Sequence, residues 1–170
     1  MTTRLFFALL TFGAVTAISN AQQKAWPGVE YDEVRAYCYD YTAERGSDFI
    51  QDNRLHKGVM DARGVKLSTD QTKQLVSIIT TPTPKEARTR CYKPHHAFVF
   101  FKDGRSVAVF EMCFGCNRWV ATPAAGVPEY IDRTALWNLT GELGLPLDSE
   151  GKGNPFFTKV VKDYRKARGQ

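Results

Sequence analysis

The chain has no internal repeat, no low-complexity tract, no long run of one charge and no Pro- or Gly-rich linker. These absences exclude solenoids, collagen, coiled-coil rods and general disorder, and they leave no obvious domain boundary. Cysteine is scarce, four in 170 residues, so disulfides here supplement a core and do not replace one. There is no Gly-rich phosphate loop, no Gly-x-Ser-x-Gly elbow and no His-Glu-x-x-His. Nucleotide-binding, hydrolase and metalloprotease readings are thus left without a motif. The formal charge is +5, with 24% charged residues, well short of a nucleic-acid-binding tail. Beyond residue 21 no stretch is apolar over the ~20 residues that spanning a bilayer needs.

What is present begins with a leader. Arg4 supplies a positive start, Leu5 to Val15 is an apolar run, and Ser19-Asn20-Ala21 places small residues at the −3 and −1 positions. This pattern predicts a secretory signal peptide over 1–21, cleaved before Gln22. The expected mature protein is residues 22–170, a single soluble domain in the periplasm or secreted, where disulfides persist. It carries no membrane anchor after cleavage and no nucleic-acid site. A protein or small-molecule ligand is left open as its partner.

Four helices are expected. Val34, Tyr37, Cys38 and Tyr41 recur at i, i+3, i+4 and i+7, predicting a helix over Tyr31 to Tyr41. Residues 45–67 read as loop with a short strand or turn. Ser68 opens a second helix, with Gln71 at the capping-box position, Leu75, Ile78 and Ile79 inside, and Pro82 and Pro84 as stops. Asp132 caps a third, with Leu136, Leu139 and Leu143 buried and Gly144 and Pro146 ending it. Asn154-Pro155 starts a C-terminal helix with Phe157, Val160, Val161 and Tyr164 as its apolar stripe. Its Lys159, Lys162, Arg165, Lys166 and Arg168 face water.

The clearest element is a hairpin. His96-Ala-Phe-Val-Phe-Phe101 and Ser106-Val-Ala-Val-Phe-Glu-Met112 flank Asp103-Gly104, a two-residue turn signal. Phe98, Phe100, Val107 and Val109 share one face; Val99, Phe101, Ala108 and Phe110 share the other. Both are apolar, which predicts a hairpin covered on both sides. Arg118 to Thr122 adds a candidate strand. The expected fold class is α+β, a central antiparallel hairpin or small sheet packed by three to four helices.

Chemistry gathers at the open end of the hairpin. If Lys102 faces Arg105, then His96 faces Glu111, His95 faces Met112 and Cys91 lies level with Cys116. Cys91, His95, His96, Cys113 and Cys116 would then meet, with Glu111 supporting His96. The favoured reading is structural disulfides: Cys91 to Cys113 or Cys116 with the other reaching Cys38, or Cys113–Cys116 with Cys38–Cys91. A second is a zinc-like site from Cys91, Cys113, Cys116 and His95 or His96, since two knuckles of soft ligands suit tetrahedral zinc. A third is a thiol–disulfide oxidoreductase with Cys113 or Cys116 as nucleophile. No helix follows the Cys-x-x-Cys to stabilise a thiolate, which separates it from a thioredoxin site. No cofactor is expected apart from that zinc, and the absence of a recognised catalytic motif speaks against an enzyme. His56 sits alone in a polar stretch and is expected on the surface. Asn138-Leu139-Thr140 matches a glycosylation sequon but falls inside a predicted helix and is discounted.

The run Cys91-Tyr-Lys-Pro-His-His-Ala-Phe-Val-Phe-Phe, an Asp-Gly turn, then Val109-Phe-Glu-Met-Cys-Phe-Gly-Cys116 resembles a loosely defined group of bacterial exported proteins. That group shows a Cys, a Pro-[Arg/His]-His step, two strands and a closing Cys-Phe-x-Cys. Glu142-Leu143-Gly144 fits the helix end that tends to follow. The likeness covers roughly Val65 to Leu145. It implies that Cys91, His96, Cys113 and Cys116 belong together and implies no particular activity.

Overall fold

The computed structural model describes residues 25–147 together with Lys162, Asp163 and Lys166. In chain order the elements are β1 (Glu33–Cys38), a 3-10 turn (Tyr41–Glu44), β2 (Ile50–Gln51), β3 (Arg54–Leu55) and β4 (Val65–Lys66). There follow α1 (Thr69–Thr80), β5 (His96–Lys102), β6 (Arg105–Cys113), β7 (Arg118–Thr122) and α2 (Arg133–Glu142). Five strands form one antiparallel sheet in the order β4-β1-β5-β6-β7, and β2 and β3 form a separate small hairpin.

The expected fold class is therefore corrected. A five-stranded sheet dominates, and α1 and α2 are the helical elements that accompany it, not a shell of three or four. The first expected helix is the strand β1, paired along its whole length with β5. Val34, Tyr37 and Cys38 fit helical spacing, but Ala36, Tyr37, Cys38 and Tyr39 are all buried. A strand lying inside a sheet with both faces covered gives just such a continuous apolar run, which periodicity alone does not separate from a helix. The leader, the C-terminal apolar stripe and the Asn154-Pro155 start lie outside the described residues. Lys162, Asp163 and Lys166 are helical, with both lysines exposed.

The other elements form for legible reasons. In α1 the Ser68 hydroxyl accepts from the Gln71 N–H while the Gln71 side chain accepts from the Ser68 N–H, a reciprocal box that satisfies two orphan donors. Leu75, Ile78 and Ile79 form its buried face. In α2 the Asp132 carboxylate accepts from the Ala135 N–H, and Leu136, Leu139 and Thr140 are buried. Gly144 takes φ +69° just past the end, where a left-handed residue costs glycine little.

The hairpin turns where expected, with Lys102 opposite Arg105 and positive φ at Asp103 and Gly104. Its register then shifts. Phe101 pairs with Ser106, but Phe100 pairs with Ala108, so Val107 is an extra residue at a β-bulge. From there on every partner moves by one. His96 stands opposite Met112 and Ala97 opposite Glu111, correcting the expected His96–Glu111 and His95–Met112 pairs. The faces change with it. Phe98, Phe100, Ala108, Phe110 and Met112 join Val34, Ala36 and Cys38 under α1 and α2. Val99 and Phe101 pack with Val109, Tyr37, Tyr39 and Ala97 on the other face. The segment carrying Phe49, Ile50, Leu55 and Val59 covers that second face.

Candidate functional site

The open end of the β5–β6 hairpin holds the cysteines. Cys91 lies in the coil before β5, and Cys116 lies in the turn from β6 to β7. They are joined by a disulfide with Cα atoms 5.9 Å apart, inside the ordinary span for such a bond. Polar contacts hold the same coil along the β6–β7 turn. The Thr89 N–H donates to the Cys116 carbonyl (3.2 Å) and the Asn117 amide donates to Glu86 (3.0 Å) and to the Ala87 carbonyl (3.2 Å). Arg118 donates to the Arg90 carbonyl at 3.3 Å. The bond thus clips an exposed coil to a sheet corner.

The other two cysteines are free thiols, and both are buried. Cys38 pairs with His96 and His96 with Met112, so all three share the face under the helices. Cys113 is one residue past Met112 and lies on the opposite face. A sheet therefore separates Cys38 from Cys113, which is why the second expected bridge is absent. Burial pushes both thiols up. For Cys113 the N–H groups of Lys93 and Cys116 oppose this by donating to its sulfur, the Lys93 contact at 3.4 Å.

The histidines are divided by the same sheet. His96 is buried; its Nε2–H donates to the Pro146 carbonyl at 2.8 Å, and the ring meets Phe114 edge-on. Burial holds it down to about 4, against the Pro146 bond. His95 is half-buried, its Nδ1–H donating to the Tyr39 carbonyl at 3.1 Å, with Tyr41 edge-on. The four expected zinc ligands are not gathered: Cys91 and Cys116 are bonded to each other, and His96 and Cys113 face opposite ways. Among the described residues no three His, Cys, Asp or Glu side chains are placed to share a metal ion.

Glu111 does not support His96. Its Oε2 accepts from the Tyr39 hydroxyl at 2.6 Å and its Oε1 from the Phe49 N–H at 3.1 Å. Glu111 is 6% exposed, and burial raises its pKa despite both bonds. Tyr39 is raised as well, by burial and then by Glu111. Tyr92 is raised for the same reasons, and its buried hydroxyl has no hydrogen-bond partner among the described residues. Above Glu111 is a small recess of about 150 Å³ bounded by Asp48, Ile50, Val109 and Thr122. His56, expected on the surface, is 3% exposed. It donates from Nε2 to the Glu44 carbonyl (3.1 Å), accepts at Nδ1 from the Gly58 N–H (3.0 Å) and packs on Tyr39.

Reasoning from the sequence missed Tyr39, Phe49 and Tyr92. The available signal was the spacing of Tyr37 and Tyr39, two residues apart as on one face of a strand. A larger cleft of about 450 Å³ lies at the far end of β1, floored by Tyr37, Phe101, Ile50 and Leu55 and rimmed by Arg35 and Arg63. Its size suits a small ligand. Comparison of the chain with protein-family models, with curated proteins and with solved structures found no match.

Proposed function

We propose that the protein is an exported, disulfide-clipped domain that acts as a binding or structural module. One observation carries this reading: the polar groups of the Cys/His cluster are committed to internal partners. His96 is held by Pro146, His95 by Tyr39, Glu111 by Tyr39 and Phe49, and Cys91 by Cys116. Such satisfaction orders a fold and leaves few groups poised for chemistry. A bond clipping an exposed coil suits an oxidising compartment. The cleft over Tyr37 and Phe101 is where such a module would hold a small ligand.

The test is expression of the full chain in a bacterium, followed by intact-mass measurement of periplasmic and cytoplasmic fractions. The expected product starts at Gln22 and is lighter by the two hydrogens that one disulfide removes. A cytoplasmic product that keeps residues 1–21 and four reduced cysteines would sink the reading.

A further inference from the structure

Cys113 is a buried free thiol in the same Cys-x-x-Cys as the bonded Cys116. The turn between them is closed by the Cys116 N–H donating to the Cys113 carbonyl at 3.3 Å. A four-residue turn of this kind keeps its end Cα atoms within about 7 Å, overlapping the range a disulfide spans. The sulfur of Cys113 also receives the N–H of Cys116 itself and that of Lys93, two residues beyond Cys91. A free sulfur is thus held against the backbone of both halves of an existing bond. Donors of this kind favour a thiolate. Cys91 itself belongs to an exposed residue.

We propose that Cys113 is the attacking thiol of a three-sulfur exchange centre, in which the bond moves from Cys91–Cys116 to Cys113–Cys116 and Cys91 is released as a solvent-facing thiol. This rests on the Cys91–Cys116 bond of the reading above and adds an activity, thiol–disulfide exchange, that the reading does not contain. In the step Cys113 gives its proton to solvent, and its sulfur attacks the Cys116 sulfur. The new S–S bond forms as the old one breaks. The electron pair leaves on the Cys91 sulfur, which takes a proton from water. One disulfide and one thiol are present before and after, so no outside oxidant or reductant takes part.

Cys113 and Cys116 both belong to buried residues, so direct attack by a bulky reagent is slow while internal attack is not. Lys93 and Arg118 face the thiol and favour its ionisation; Tyr39, Tyr92 and Glu111 lie on the same side. Burial outweighs the two cations. Exchange should therefore quicken with pH, by up to about tenfold per unit while the thiol is mostly protonated.

The experiment incubates the native, oxidised protein with N-ethylmaleimide and no reductant, then maps adducts and disulfides by mass spectrometry over time. The expected result is accumulation of chains alkylated at Cys91 and linked Cys113–Cys116. The rate should not depend on protein concentration and should be unchanged in Cys38→Ser. Cys113→Ser should abolish Cys91 alkylation. If that variant does not fold, the wild-type map still decides, because a Cys113–Cys116 link can arise only through Cys113. A Cys91–Cys116 bond that stays intact with Cys91 never alkylated would overturn the exchange and leave the clip standing. A native protein with no bond at Cys116 at the outset would overturn both.

Discussion

Two buried titratable groups, His96 and Glu111, lie one strand apart on opposite faces of the sheet, and they set opposite pH dependences. His96 in the fold is held at about 4, below its ordinary 6.5. Between those values the unfolded chain binds a proton that the folded one refuses, so stability is lost as pH falls through this window. A shift of this size corresponds to roughly 3 kcal/mol. His96→Gln, which keeps a donor for the Pro146 carbonyl, should remove that slope from chemical-denaturation curves taken across the window. Glu111 has its pKa raised. Its contribution is complete below the ordinary carboxylate value and is lost as pH rises through the folded value. Glu111→Gln should flatten that loss while costing about 1–3 kcal/mol, because an amide cannot accept equally from Tyr39 and Phe49. A variant with the wild-type slope would show that Glu111 is not the titrating group.

At the scale of elements, one residue decides which face each half of β6 presents. The bulge at Val107 moves Glu111 away from His96 and into contact with Tyr39. Deleting Val107 would restore an unshifted register and turn Ala108 to Cys113 over, putting Glu111 beneath the helices. The expected outcome is loss of the cooperative unfolding transition, read by circular dichroism on heating. Two glycines give a contrasting pair. Gly104 sits at φ +74° with open space where a Cβ would go, so Gly104→Ala should cost about 1–2 kcal/mol of backbone strain. A Cβ on Gly58 would lie 2.0 Å from the Asp40 carbonyl oxygen. Gly58→Ala must displace a backbone segment that also holds His56, and it should destabilise more than Gly104→Ala in the same denaturation assay.

At the scale of the molecule, the Cys91–Cys116 bond closes a loop across a sequence separation of 25. By chain entropy a loop of this length stabilises by about 3 kcal/mol. Replacing Cys91 and Cys116 together with Ser should lower the midpoint of thermal unfolding, and adding reductant should then change it no further. An equal midpoint with and without the bond would show that the contacts of Thr89, Asn117 and Arg118 already hold the coil.

What the sequence determined by itself was local. The capping box of α1, the Asp132 cap of α2, the apolar stripes of both, the Asp103-Gly104 turn and the strand Arg118–Thr122 each depend on neighbours in the chain, and each is present. The gathering of Cys91 with Cys116 was legible because both flank the open end of one hairpin, whatever its register. What only the tertiary structure decided was which face each residue shows. β1 reads equally as helix or strand until β5 lies beside it, since burial on both sides erases the period of two. The bulge at Val107 has no sequence signal, yet it alone separates His96 from Glu111. His56 lies inside because Tyr39 and the Glu44 carbonyl are brought to it from elsewhere in the chain. Side-chain facing in a sheet is a cumulative count along paired strands, so a single extra residue far from the site resets it.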